Sequence, residues 1–330
     1  MRRRCGPCCA IMKAESSRPA ILIESLVRDF GAVRALDHLS LEVAAGTLFG
    51  FLGPNGAGKT TVIRTLLGLI EPTAGRAEVL GIDVATRAAE VRVRCGALLE
   101  HPGLYERLSA EDNLEFFGRI WGMKAADRRE RTRELLTQFG LWERRREAAG
   151  RWSRGMKQKL SVARAVFHRP SLVFLDEPTS GLDPVATVGL REDLSSLVDR
   201  EGVTVFLTTH NLAEAERLCS QVGVIQRGRL AALGKPGELR ASAGRPRLEI
   251  VAGGVGPELM DVLRARPEVD VVSEGATPGM LAIGLRGDPS VAPIVELLVR
   301  AGVAVEEVRK VRPTFEEAFL DLVTEPGGVS

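Results

Sequence analysis

Apolar residues along this chain recur with two different periods. Short apolar or alternating runs, the mark of strands, fall at residues 21–28, 38–43, 48–52, 95–99, 172–175 and 203–207. Helical patterns lie between them, from Lys59 to about Leu69, near residues 155–167 and at residues 184–199. Strands alternating with helices predict an α/β fold, a mainly parallel sheet with helices on both faces. From about Leu104 to Trp152 the pattern is helical throughout. Ser109 followed by Asp112 resembles a capping box with Asp in place of the usual Glu. Leu114, Phe117, Ile120 and Trp121, then Leu135, Leu136 and Phe139, fall at helical spacing and read as ordinary core.

Near residues 240–247 the chain turns rich in Gly, Ser and Arg and reads as a linker. Beyond it come a strand at 248–251, a helix at 257–265, strands at 269–272 and 280–285, a helix at 290–301 and a strand at 303–308. The order βαββαβ predicts a small α+β, ferredoxin-like domain. A last amphipathic helix at 314–322 puts Phe315, Phe319 and Leu322 on one side. Residues 1–19 read as a disordered tail. The expected organisation is that tail, an α/β domain at 20–240 with a helical subdomain at about 104–155, and an accessory domain at 245–330. No repeat of fixed period is found.

Composition narrows the function. The 330 residues suffice for one large domain and a smaller one, and 45% are apolar. The 45 basic and 43 acidic residues give a net charge of +2, which carries no nucleic-acid footprint. A single Tyr, at position 105, argues against a base-stacking surface. No stretch reaches the ~18 uncharged, mostly apolar residues that span a bilayer, and the basic start lacks an apolar core of signal-peptide length. A cytoplasmic protein is expected. Cys5, Cys8 and Cys9 crowd the start, but no His or second Cys pair lies nearby to complete a metal tetrahedron.

Residues 53–61 read GPNGAGKTT, which fits G-x-x-x-x-G-K-[ST] between a predicted strand and a predicted helix. Gly53, Gly56 and Gly58 lack Cβ atoms, so backbone N–H groups can surround phosphate oxygens. The following helix adds the positive end of its dipole. Lys59 places a cation on the β- and γ-phosphates, and the Thr60 hydroxyl is placed to bind Mg²⁺. Pro54, Asn55, Ala57 and Thr61 complete the candidate ATP-binding loop. Residues 172–177 read LVFLDE, an apolar strand ending in two carboxylates at the edge where open α/β sheets bind ligands. Asp176 is expected to help hold Mg²⁺, directly or through water. Glu177 is expected beside the attacking water as general base or water-orienting group.

WSRGM at 152–156 precedes DEPTSGLDP at 176–184 and LTTH at 207–210. Together with the phosphate loop, this ordered set resembles an ABC-type ATPase domain over roughly residues 21–240. In the signature, Ser153 and Gly155 match the common LSGGQ form, while Trp152, Arg154 and Met156 replace Leu, Gly and Gln. That variant, followed by KQKL, and the closing PTFEEAFL at 313–320 resemble the drug- and antibiotic-export branch. The resemblance implies an ATPase subunit that powers export of a drug, antibiotic or lipid-like compound through a separate permease, peripheral on the inner face of the cell membrane. It implies a homodimer closed head to tail around two ATP molecules, with Ser153 and Gly155 capping the γ-phosphate from across the interface. It also implies that His210 contacts that phosphate and positions Glu177, that Asp183 links the two sites, and that Phe30 stacks on adenine. The segment CGALLEHPGLYERLS at 95–109 resembles the Q-loop region, but Glu100 stands where the family has a Gln that contacts Mg²⁺.

Two other function classes share parts of this motif set. Translation-associated and DNA-repair members of the family usually carry two such domains or a long coiled coil, and this chain shows no sustained heptads. A nucleotide-binding regulator that does not hydrolyse is opposed by the presence of both Glu177 and His210.

Overall fold

The computed structural model describes residues 18–242, 246–253, 256–275, 279–312 and 314–324. The cysteines at 5, 8 and 9, nearly all of the expected tail and part of the expected linker lie outside the described residues. The chain divides into two compact units, one closing at Pro236 and the other from Gly237 onward.

The first unit begins with β1 (Ile21–Phe30), β2 (Val33–Val43), β3 (Leu48–Leu52), α1 (Lys59–Leu66), β4 (Ala74–Val79), β5 (Ile82–Asp83), α2 (Ala88–Arg94) and β6 (Cys95–Leu98). Helices α3 (Ala110–Ile120), α4 (Ala125–Gln138) and α5 (Arg154–Ala165) follow. It closes with β7 (Leu172–Asp176), α6 (Pro184–Glu201), β8 (Thr204–Thr209), α7 (Leu212–Leu218), β9 (Gln221–Gln226) and β10 (Arg229–Gly234).

A six-stranded sheet runs β10-β9-β3-β8-β7-β6, with β9, β3, β8, β7 and β6 mutually parallel and β10 antiparallel at the edge. All residues of β3, β7 and β8 are buried, as strands covered on both faces require. Phe206 at the centre stacks on Phe49 at 5.4 Å and packs against Phe174 at 5.7 Å.

The first two strands do not join this sheet. They form a separate antiparallel sheet, β2-β1-β4-β5. The reason is the connection: Gly31 and Ala32 alone separate β1 from β2, and two residues can close only a hairpin. The second strand accordingly starts at Val33, paired with Phe30, rather than at position 38.

In the helical segment, Ser109 caps α3. Its Oγ accepts from the Asp112 N–H at 3.0 Å and donates to Asp112 Oδ2 at 2.6 Å. The shorter Asp therefore grips the cap hydroxyl. Leu114, Leu135, Leu136 and Phe139 are buried as expected. Ile120 and Trp121 are not core: Ile120 is 64% exposed. The inward stripe of α3 is Ala110, Asn113, Leu114 and Gly118, which leaves Ile120 out of phase. Trp121 stacks instead on His168 at 3.9 Å. Arg131 of α4, 1% exposed, bridges to Glu201 at the end of α6 (2.8 Å), to Glu134 (3.0 Å) and to the Val166 carbonyl after α5 (2.9 Å).

Helix α8 (Pro236–Ser242) straddles the division. The second unit then holds β11 (Arg247–Gly253), α9 (Pro257–Arg264), β12 (Val269–Glu274), β13 (Met280–Leu285), α10 (Ala292–Arg300), β14 (Ala304–Val311) and α11 (Phe315–Thr324). Its sheet is antiparallel in the order β12-β13-β11-β14, the ferredoxin-like arrangement. Alternate residues Leu248, Ile250, Leu281, Ile283 and Leu285 meet Leu263, Ile294 and Leu298 from the helices. Helix α11 buries Phe315 and Ala318, with Phe319 and Leu322 half-buried.

Candidate active site

The phosphate loop fills the turn from β3 into α1. A Cβ at Gly53 would lie 2.5 Å from the Ile225 carbonyl oxygen, and one at Gly58 2.8 Å from that of Ala35. Gly58 also has φ +113, which side-chain-bearing residues rarely adopt. Here glycine is a steric requirement. The loop opens onto a cleft of about 630 Å³, lined by Pro54, Asn55, Gly56, Gly58, Lys59, Thr60 and Thr61, and by Glu100, Asp176, Glu177 and His210. Gly53 and the buried Ala57 stand behind this lining.

Lys59 is 7% exposed. Its Nζ donates to the carbonyls of Gly53 (2.7 Å) and Pro54 (3.3 Å) and lies 3.4 Å from Glu177 Oε1. Thr60 Oγ1 donates to Asp176 Oδ2 at 2.8 Å. The two hard oxygens expected to meet a metal are thus in contact at the mouth of the loop. Thr208 Oγ1 donates to Asp176 Oδ1 at 2.5 Å and accepts from the Glu177 N–H at 3.0 Å. Glu177 itself has φ +51, a strained position for a residue with a side chain. His210 Nδ1 lies 2.6 Å from Glu177 Oε2.

Thr208 was missed from the sequence as a functional residue. It stands opposite Asp176 in the pairing of β7 with β8, a contact that only the sheet reveals. The other expected residues are placed less directly. Glu100 reaches the cleft, but its exposed carboxylate faces Arg64 of α1 at 3.5 Å. Ser153 Oγ caps α5 by accepting from the Met156 N–H at 3.3 Å. Neither Ser153 nor Gly155 lines the cleft, whereas Arg154, Lys157 and Gln158 of the same helix do. Phe30 ends β1 with the Arg28 guanidinium 4.5 Å from its ring centre, and Ala35 is the residue of that sheet that lines the cleft. Asp183 caps α6, accepting from the Ala186 N–H at 2.8 Å.

Comparison with known proteins bears on the same residues. The sequence profile described as "ABC transporter" matches residues 36–180. The chain is 39% identical, over 92% of its own length and 95% of the relative's, to a daunorubicin resistance ATP-binding protein, DrrA3, of Streptomyces coeruleorubidus. The chain belongs to the ATP-binding subunits of ABC transporters. It is therefore an ATPase, and the relatives it resembles include members of the drug-export branch. A bacitracin transport ATP-binding protein of Bacillus licheniformis is 41% identical over 62% of this chain and 66% of its own length. Among solved structures, an ATP-binding subunit of an ABC transporter matches with TM-score 0.61 and 32% identity, over 68% of this chain and 92% of that one. A dimeric ATP-binding cassette, MJ0796, bound to ADP and Pi has TM-score 0.59 at 23% identity, over 65% of this chain and 98% of that one, and supports the fold.

Proposed function

We propose that this subunit powers export of a drug- or antibiotic-like compound through a separate membrane permease, held at the inner face of the cell membrane by that partner. The observation that carries this reading is the near full-length likeness to the daunorubicin resistance protein, which reaches beyond the ATPase unit into the second one. No helix among the described residues is long and apolar enough to cross a membrane.

In this reading the phosphate loop holds ATP, with Lys59 on the β- and γ-phosphates and Phe30 against adenine. The water attacks the γ-phosphorus, the bond to the β–γ bridging oxygen breaks, and ADP leaves. Glu177 receives the water's proton or orients the water, and His210 steadies Glu177 and the γ-phosphate. Mg²⁺, when bound with the nucleotide, neutralises charge that develops on the phosphates. Thr60 and Asp176 would hold it. Glu100 is proposed as a further oxygen ligand once it leaves Arg64. Two copies are proposed to close head to tail, each offering Ser153 and Gly155 to the other's γ-phosphate.

Affinity capture of the chain from detergent-solubilised membranes tests the transport reading. An integral membrane protein should co-purify and stimulate ATP hydrolysis. Capture without one, and turnover indifferent to membranes, would overturn it.

A further inference from the structure

Glu214 has a buried carboxyl with no part in the account so far. It lies on α7, just after His210, and is 1% exposed. Its Oε2 accepts two hydroxyl hydrogen bonds, from Thr179 at 2.6 Å and from Thr209 at 3.1 Å. Its Oε1 is buried with no hydrogen-bond partner among the described residues. Burial pushes the carboxyl's pKa up, opposed by the two hydroxyls. A half-satisfied carboxyl in a core costs stability.

Its two bonds lead to the two halves of the hydrolytic pair. Thr179 sits two residues after Glu177, and Thr209 is the immediate neighbour of His210. Thr209 Oγ1 also accepts the Asn211 N–H at 2.9 Å, and Asn211 Oδ1 accepts the Glu214 N–H at 3.1 Å. One carboxyl thus fastens the loop that carries Glu177 to the strand end that carries His210. The Glu177 backbone, with φ +51, persists only where its surroundings hold it.

We infer that Glu214 is a positioning residue for ATP hydrolysis, fixing the spacing between Glu177 and His210 through Thr179 and Thr209. The inference rests on Glu177 and His210 being the hydrolytic pair.

The test measures ATP affinity, KM and kcat in the full chain. Glu214→Leu is expected to leave ATP affinity and KM within about twofold, while kcat falls by about 10- to 100-fold, the scale of a misplacement near 1 Å. Glu214→Gln keeps an oxygen that accepts from both hydroxyls and should restore kcat to within a few-fold. Unchanged kcat in Glu214→Leu, or equal losses in the Leu and Gln variants, overturns the inference. A loss that follows ATP affinity rather than kcat also overturns it. Should Glu214→Leu fail to fold, Thr179→Val and Thr209→Val decide: each should lower kcat at unchanged KM, and normal kcat in both overturns the inference. Glu177→Gln separates the two readings. If that variant is inactive while Glu214→Leu turns over normally, positioning by Glu214 fails and the role of Glu177 stands.

Discussion

Glu177 Oε2 meets His210 Nδ1 at 2.6 Å while its Oε1 lies 3.4 Å from Lys59 Nζ. One carboxylate therefore spans the buried ammonium of the glycine-rich loop and the histidine at the end of the neighbouring strand. Glu177→Gln keeps the shape and loses the charge and the basicity. Turnover is expected to fall by about 10²- to 10⁴-fold with ATP binding retained. An ATP-bound dimer should accumulate, visible by size-exclusion chromatography with ATP. Near-normal steady-state hydrolysis would refute the assignment.

Lys59→Ala removes the buried ammonium at the phosphate loop. ATP affinity should drop by about 1.5–3 kcal/mol, the value of a hydrogen bond to a charged group. Titration with a fluorescent ATP analogue measures it, and an unchanged Kd would count against the role of Lys59.

Glu100 faces Arg64 at 3.5 Å and is proposed to turn to Mg²⁺ when the nucleotide binds. A carboxylate is a better hard-cation ligand than an amide, yet without Mg²⁺ it adds repulsion beside Asp176, Glu177 and the triphosphate. Glu100→Gln should retain hydrolysis and raise the Mg²⁺ concentration needed for half-maximal rate. Glu100→Ala should impair permease-stimulated turnover more than ATP binding. Wild-type Mg²⁺ dependence and stimulation in both would make Glu100 a bystander.

His168 lies under Trp121, and burial lowers its pKa from 6.5 to about 4, with the nearby Arg131 acting in the same direction and its contact to the Cys95 carbonyl opposing. The unfolded chain takes up a proton at this residue that the folded chain refuses. Its contribution to stability is therefore fully present above pH 6.5 and is lost as pH falls towards 4. His168→Gln should flatten the fall in urea midpoint between about neutral pH and about pH 4.5. An identical slope in both proteins would remove His168 as its source.

The glycine-rich loop was legible because local geometry dictates its key residues. Gly58 occupies a left-handed turn that excludes a side chain, and the Asp176–Glu177 pair ends an unbroken apolar strand. The βαββαβ unit was legible for a similar reason, since its strands carry clean inside-outside alternation. What escaped depends on contacts distant in sequence. Strand β4, AGRAEV, has little intrinsic strand character and is defined by its antiparallel pairing with β1. Ile120 fits a helical period, but tertiary packing chooses which stripe of α3 faces inward. Thr208 meets Asp176 only because β8 lies beside β7, which spacing alone does not reveal.

Helix α6 starts just after Asp183, in the loop that leaves Glu177, and ends at Glu201, which the buried Arg131 clasps. Its 18 residues make a rod of roughly 27 Å. A hydrogen-bonded helix does not readily shorten, so the loop that leaves Glu177 and the clasp at Glu201 are held at a fixed separation. The guanidinium there also grips the Val166 carbonyl, so α4 and the end of α5 are fastened to the same point. One rigid strut thus braces the Glu177 loop against the helical region, with Arg131 as its far anchorage.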